Sequence, residues 1–505
     1  MINGYPKGTQ ALGLQSSNSN RCYVLPIVFI LCTAGFLIRF SIFHGLPPIE
    51  LPDTKSYEEL LRNDVLKNIF FQRRPAGFPL IIRLFRFNRE LIVLFQQVLA
   101  GLAWIAVSLA VASRLKRPLF RWSAAISIFM FGCSPIIVWW DVQLLPESIT
   151  ISLFLFIIAF LLRWDSHRSN GGLMLLLVAA YYFSMMRAAN ACILPVLTIY
   201  LLVLEFKGWQ KRELSHELAT RRRGVSIRVL LICFMCAGFL FFYRESIVAE
   251  RWKLELMNTL QRNVFAKNIG DNKIIFNERF FKYFVEKHNM PAREAFLHLG
   301  RKRWEPPDEP TPAYDAWLSQ QGYGAYMDFL VNHPRWVFHQ YANIGILYSF
   351  DGLWDIAQWN GWKEGFDIGR IIKATRIQKL YLHTVGLLVH LRYSYLIMNL
   401  LFIFLVIWWN RAYTDRERTL ICPEVLATLV ILFYVAPVIA IIAWLGDEDS
   451  PLRHSLVGMV SYYLGAIILF WIIMDWLVQR HSLRGAGKKC APHPHERRPP
   501  ASGSV

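Results

Sequence analysis

Asp53, Arg73, Arg74, Glu147, Arg187, Arg453 and His454 are ionisable residues that fall beside long apolar blocks or at their ends. Carboxylates and guanidinium groups gathered at one face of a membrane suit a particular chemistry. Guanidinium forks grip phosphate oxygens in pairs, and a carboxylate takes the proton from an incoming hydroxyl. A lipid carrying a phosphate fits that combination. Each residue also has an ordinary reading. Asp53 in isolation is a solvated acid or a helix cap before TKSYEELL. Arg73 and Arg74 can snorkel to a membrane interface beside Phe70 and Phe71. Glu147 suits a helix N-terminus and Arg187 a helix end, and Arg453 and His454 follow the acidic turn GDEDS, where a local salt bridge suffices.

These residues need elements that bring them to one side. The chain has 505 residues, 54% hydrophobic and only 18% charged. Its apolar residues are bunched into blocks of about 20, the length that crosses about 30 Å of hydrocarbon. The composition therefore predicts an all-α polytopic membrane protein rather than a soluble one. Spans are expected near 23–43, 91–113, 122–140, 145–163, 172–186, 190–206, 227–243, 393–409, 422–445 and 455–478, the pair around 172–206 being bent or re-entrant. The net charge of +19 is concentrated in alternate short loops and in the tail, where the positive-inside rule puts it, so nucleic acid is not implied. That asymmetry predicts both termini in the cytoplasm.

The segments divide accordingly. Residues 1–22 form a cytoplasmic tail, 23–243 a transmembrane module with a long first outer loop at 44–90, and 244–392 an outer domain. Residues 393–478 hold the last spans, and 479–505 are expected to be a disordered basic tail. The outer domain reads as helical, with Phe280, Phe281 and Phe284 on one face and Tyr326, Phe329 and Leu330 on another. Prolines make 305–312 an irregular loop, and 377–391 suits an interfacial helix. Cys233 and Cys236 form a CxxC inside a span, where a pair of small apolar residues is the reading, and no disulfide framework is implied.

The order PDTKSYEELL, RRPAGFPLII and FGCSPIIVWWDVQLLPESITISLFLF resembles the GT-C glycosyltransferases, in particular the protein mannosyltransferase and aminoarabinose transferase group. Asp53 and Tyr57 match the family's Asp and the Tyr four residues later in the first outer loop. Arg73-Arg74-Pro75-Ala76-Gly77-Phe78-Pro79 matches loosely the stretch entering the second span, and Ser134-Pro135 and Glu147 match a turn and an acid at the fourth. The likeness covers about residues 20–210, with only GDEDSPLRH similar beyond it, and the outer domain has no counterpart in it.

The resemblance implies a GT-C-like bundle of about ten helices and an inverting transfer of a sugar from a polyprenyl phosphate to an acceptor hydroxyl. Asp53 would be the general base, Arg73, Arg74, Arg187, Arg453 and His454 would bind the donor phosphate, and Tyr57 and Glu147 would line the substrate pocket. A glycan, lipid or protein would be the acceptor. Asp53 with Glu147 or Asp141 offers oxygen ligands of the kind a divalent cation takes, but no spacing requires one and no cofactor is expected. A flippase for lipid-linked glycans is the competing reading; its class usually shows repeats and midplane charges. A sensor or assembly protein with an outer binding domain is a third. No Asn-x-Ser/Thr occurs, which points to a bacterial inner membrane.

Overall fold

A computed structural model describes residues 75–167, 169–213, 256–257, 260–268, 274–299, 309–337, 394–411, 423–435 and 451–489, with isolated positions at 30, 33–35, 37, 48, 50, 54, 57, 58, 229, 232–234, 237 and 238. Asp53, Arg73, Arg74, the 377–391 segment and nearly all of the 23–43 and 227–243 spans lie outside the described residues.

The described chain is mostly helical. Helix α1 (Gly77–Leu84) turns through Arg86 and Phe87, both at positive φ, into α2 (Arg89–Ala112). The Asn88 side chain caps α2 by accepting from Leu91 N at 3.1 Å. Its 24 residues span about 36 Å at 1.5 Å per residue. A basic loop follows, and Pro118, whose missing N–H is no loss in a first turn, opens α3 (Pro118–Gly132). The close approach of α2 and α3 needs a glycine: a Cβ on Gly132 would enter the Trp104 ring. Helix α3 ends sooner than the expected 122–140 span, because Pro135 cannot continue the backbone ladder. Two short turns, Pro135–Val138 and Trp139–Val142, take its place.

Helix α4 (Glu147–His167) packs against α2 and α5. Its hydroxyls satisfy themselves locally, Thr150 donating to Pro146 O at 2.7 Å and Ser152 to Ser148 O at 2.8 Å, so the helix can be buried on most sides. Helix α5 (Asn170–Met186) stops where Arg187 is extended (φ −153°, ψ 140°). A 3-10 turn at Ala188–Cys192 then leads to α6 (Ile193–Glu213). The expected bend between 172–186 and 190–206 is this break.

Four helices between residues 278 and 332, α7 (Glu278–His288), α8 (Ala292–Leu297), α9 (Pro312–Trp317) and α10 (Tyr323–Asn332), are followed by α11 (Ser394–Arg411), α12 (Pro423–Val430) and α13 (Pro451–Lys489). Helix α12 ends in a π turn at Ile431–Val435. Helix α13 runs antiparallel to α3: Phe120 meets Trp471 and Phe131 meets Tyr463, with centroids at 6.0 and 5.6 Å. At the basic end, buried Asp475 accepts from Lys116 N at 2.9 Å and from Gln479 at 2.8 Å. There Arg480 also lies over Trp408 and Trp476. The helix continues through 479–489, so that part of the expected disordered tail is helical. Two helical stretches, Arg89–Ala112 and Leu456–His481, are long and apolar enough to cross a membrane, and four apolar helices of 10–17 residues stand beside them.

The described residues between 256 and 337 have their own core, built on Leu260, Phe265, Phe284, Tyr314 and Phe329 and sharing no residue with the bundle core. A short antiparallel hairpin interrupts the expected all-helical reading, β1 (Ala266–Asn268) pairing with β2 (Ile274–Phe276). Two β-branched residues and an aromatic favour that strand, and Asn277 N closes it on Phe265 O at 2.7 Å. Helix α7 (Glu278–His288) buries Phe281 and Phe284, with Phe280 edge-on to Phe329 at 5.0 Å. Helices α8 (Ala292–Leu297) and α9 (Pro312–Trp317) follow, Pro312 opening a helix rather than continuing the loop expected over 305–312. Helix α10 (Tyr323–Asn332) buries Tyr326 and Phe329.

Asp328 clasps α10 to α7. It accepts from Tyr283 at 2.5 Å and Lys287 at 2.6 Å, with His288 Nε2 at 3.0 Å. Lys287 and Tyr283 hold its carboxyl well below the ordinary carboxylate range. A carboxylate depressed by folding adds stability that is complete above its unfolded pKa of about 4 and is lost as pH falls below it. Asp328→Asn is therefore expected to lower the unfolding temperature of the purified protein at pH 7. The gap from wild type should narrow as the pH is taken below about 4; a gap independent of pH would show that the carboxylate charge contributes nothing.

Candidate functional site

The turn between α3 and α4 gathers the buried polar groups at one end of the bundle. Asp141, 2% exposed, accepts from Ser148 Oγ at 2.6 Å. Gln96, in the second turn of α2, donates through its single amide nitrogen to Gln143 O at 3.0 Å and Leu145 O at 3.2 Å. One side chain thus fixes the turn against α2. Trp140, Val142, Leu144 and Leu145 surround these groups with apolar surface.

Glu147 is the first residue of α4, where the helix dipole favours an anion. It forms an ion pair with Arg187, the residue at which α5 breaks. Both are largely withdrawn from water, the side chains being 2% and 13% exposed. The break therefore has a purpose: an extended backbone at Arg187 brings a guanidinium from one helix end to the start of another. Asn190 Nδ2 donates to Phe183 O at 3.0 Å and satisfies one of the carbonyls that the broken helix leaves.

The chain before α1 reaches this place at its described positions. Thr54, the residue after Asp53, donates to Leu144 O at 3.0 Å and is 1% exposed. Tyr57 stands edge-on to Phe78 with centroids 5.3 Å apart, and Arg89 pairs with Glu58 at 3.1 Å and with Glu50. The segment after Arg74 is anchored too, since Tyr182 donates to Gly77 O at 3.1 Å. Gly77 is required there by space: a Cβ would stand 2.8 Å from the Met185 carbonyl oxygen.

Of the residues singled out by sequence, Glu147 and Arg187 are joined directly, and Tyr57 packs on Phe78 of α1. Asp53, Arg73 and Arg74 lie outside the described residues. Arg453 and His454 occupy the first turn of α13. By the antiparallel register with α3, that turn lies toward the end of the bundle where α4 begins. Gln96, Gln143 and Thr54 were not singled out by sequence. An amide inside an apolar span was the available signal for Gln96, because polar groups there are costly unless used. Among the described residues no group of three or more His, Cys, Asp or Glu is arranged to hold a metal ion.

No protein-family model and no curated protein matches the chain.

Removing one partner of a buried ion pair strands the other charge and costs about 3–5 kcal/mol, whereas removing both is far milder. Arg187→Met should accordingly destabilise the protein by that order, and Arg187→Met with Glu147→Gln should recover most of the loss. Unfolding in detergent measures both; simply additive losses would show that the two side chains do not depend on each other.

Proposed function

We propose that this chain is a polytopic membrane glycosyltransferase that moves a sugar from a polyprenyl phosphate to an acceptor on the outer face of a bacterial inner membrane. The observation that carries the reading is the meeting of three segments at one end of an apolar bundle. These are the first outer loop at Thr54, the α3–α4 turn, and the α5 break at Arg187. Two of them, the first outer loop and the α3–α4 turn, also carry the GT-C resemblance.

A lipid setting is supported by where the large apolar residues are exposed. Leu94 and Leu102 on α2, Leu175 and Val178 on α5, Ile199 and Phe206 on α6, and Phe404 on α11 all face outward. In water such a belt would be an aggregation surface; in hydrocarbon it is the expected exterior. The basic loop after α2 and the Asp475–Arg480 stretch share the opposite end from Glu147. Basic residues gathered at one end are what the positive-inside rule expects of a cytoplasmic face.

The chemistry follows from charge. The acceptor hydroxyl attacks the anomeric carbon and the sugar–phosphate C–O bond breaks. Its electron pair leaves with the polyprenyl phosphate, and configuration inverts. Phosphate is a stable leaving group, so no general acid is needed. Asp53 takes the hydroxyl proton. Guanidinium groups stabilise the charge that grows on the phosphate, with Arg187 held toward it by Glu147, and Arg73, Arg74, Arg453 and His454 the further cationic candidates. Glu147 is thus a positioning residue, and the reaction as written uses no metal.

The test is release of polyprenyl phosphate from radiolabelled polyprenyl-phosphate sugars by the purified protein in lipid. Asp53→Asn is expected to insert and fold while losing about 10²–10⁴-fold in rate, the usual contribution of a positioned base. Equal release by both proteins would remove Asp53 as the base, and no release with any donor would favour a flippase or a binding protein.

A further inference from the structure

Gln143 is fully buried, and neither its Nε2 nor its Oε1 has a hydrogen-bond partner. Gln96, whose nitrogen bonds the backbone carbonyl of Gln143, is equally buried, and its Oε1 is also unpartnered. Two carbonyl acceptors and one NH2 donor are thus unsatisfied, one acceptor on α2 and the other two atoms on the turn that α2 holds. Buried polar groups are almost always paired, and leaving several unpaired together is costly in a low-dielectric surrounding. The backbone around them is not loose: Gln96 and Thr54 both fix it. A rigid frame holding unsatisfied amides is what a site looks like when its ligand completes the bonding.

We infer that Gln143, steadied by Gln96, reads the hydroxyl groups of the transferred sugar and so restricts the donor to a polyhydroxylated one. The inference rests on the transfer reading above and deepens it. The choice of ligand class follows from donor and acceptor arithmetic. A phosphate only accepts, so it would serve the Gln143 NH2 and leave both carbonyl oxygens unsatisfied. A polyprenyl chain would serve none of the three. A hydroxyl both donates and accepts, so hydroxyl groups suit the Gln143 NH2 and its carbonyl oxygen alike. The position in the chain agrees. Gln143 lies two residues after Asp141 and four before Glu147, and its neighbour Leu144 receives the hydrogen bond from Thr54, next to Asp53 in sequence.

A site built to bond a hydroxyl strongly rejects the analogue that lacks it, because its own groups then stay unpaired. An apolar isostere removes that penalty. The experiment uses the full-length protein in lipid and polyprenyl-phosphate pentoses and hexoses, each beside its monodeoxy counterparts, with release of polyprenyl phosphate as readout. Wild type should prefer the fully hydroxylated donor over at least one deoxy counterpart by about 10²-fold or more in kcat/KM. Gln143→Met should bring that ratio to within a few-fold, chiefly by slowing the hydroxylated donor, and Gln143→Asn, whose amide is too short, should do the same. An unchanged ratio in both variants overturns the assignment while leaving transfer intact, whereas wild type that releases nothing from any donor ends the transfer reading itself. Thermal unfolding without donor decides the matter independently of turnover. Loss of an unpartnered amide should leave the Gln143→Met unfolding temperature equal or higher, and added polyprenyl-phosphate hexose should raise wild type alone. A clear drop in the variant would mean that the amide is bonded within the protein, or to a structural water, and would overturn the inference.

Discussion

A carboxylate and a guanidinium buried together inside an apolar bundle impose the strictest condition on this fold. Neither Glu147 nor Arg187 is tolerable there alone, since an isolated charge in such a setting costs several kcal/mol. Each must therefore be delivered to the other with little slack. The start of α4 and the end of α5 are adjacent because the helices pack side by side, but a helix running on through 187 would carry the arginine past its partner. Breaking α5 at an extended residue solves this, and Asn190 repairs part of the damage to the helix end. The start of α4 is in turn fixed by the turn before it, which Gln96 ties to α2 and Thr54 ties to the first outer loop. One ion pair thereby constrains four separate stretches of chain.

The rest of the bundle solves a different problem, which is to keep polar atoms satisfied where no water reaches. Hydroxyls on α4 bond to their own preceding turn, and Ser108 on α2 does likewise, to Trp104 O at 2.7 Å. Asp475 answers a backbone N–H that the α2–α3 loop would otherwise leave open. The amides at 96 and 143 are among the buried groups that keep unpartnered atoms, and both stand at the end of the bundle that holds the ion pair.

Much of this was legible in the sequence because it rests on signals of composition and position. Apolar blocks marked the helices, although the span expected over 122–140 ran through the stop that Pro135 imposes. The pairing of Glu147 with Arg187 was within reach once alternate spans were laid antiparallel, for each residue lies at a span end on the same side. What the sequence concealed depends on rotation about helix axes and on crossing distance. Nothing in WWDVQLLPES says that Gln143 turns inward while its carbonyl meets Gln96. The need for Gly77 appears only when α1 is seen against the Met185 carbonyl. The β1–β2 hairpin was missed because three-residue strands leave no readable alternation, and the helical course of 479–489 was hidden by a composition that looks like a tail.

The contacts that shape the candidate site share a property that concerns the order of synthesis. Gln96 with Gln143, Glu147 with Arg187, Thr54 with Leu144 and Tyr182 with Gly77 all join residues in the first part of the chain. The contacts of α13, such as Lys116 with Asp475, instead bridge 359 positions. A ribosome adding about 5–20 residues per second would need on the order of tens of seconds to make everything beyond Cys192. Throughout that interval the first 192 residues hold these four contacts and none of α13's. The nascent polypeptide can thus assemble its polar centre first, and the last helix arrives as a buttress against a structure already standing.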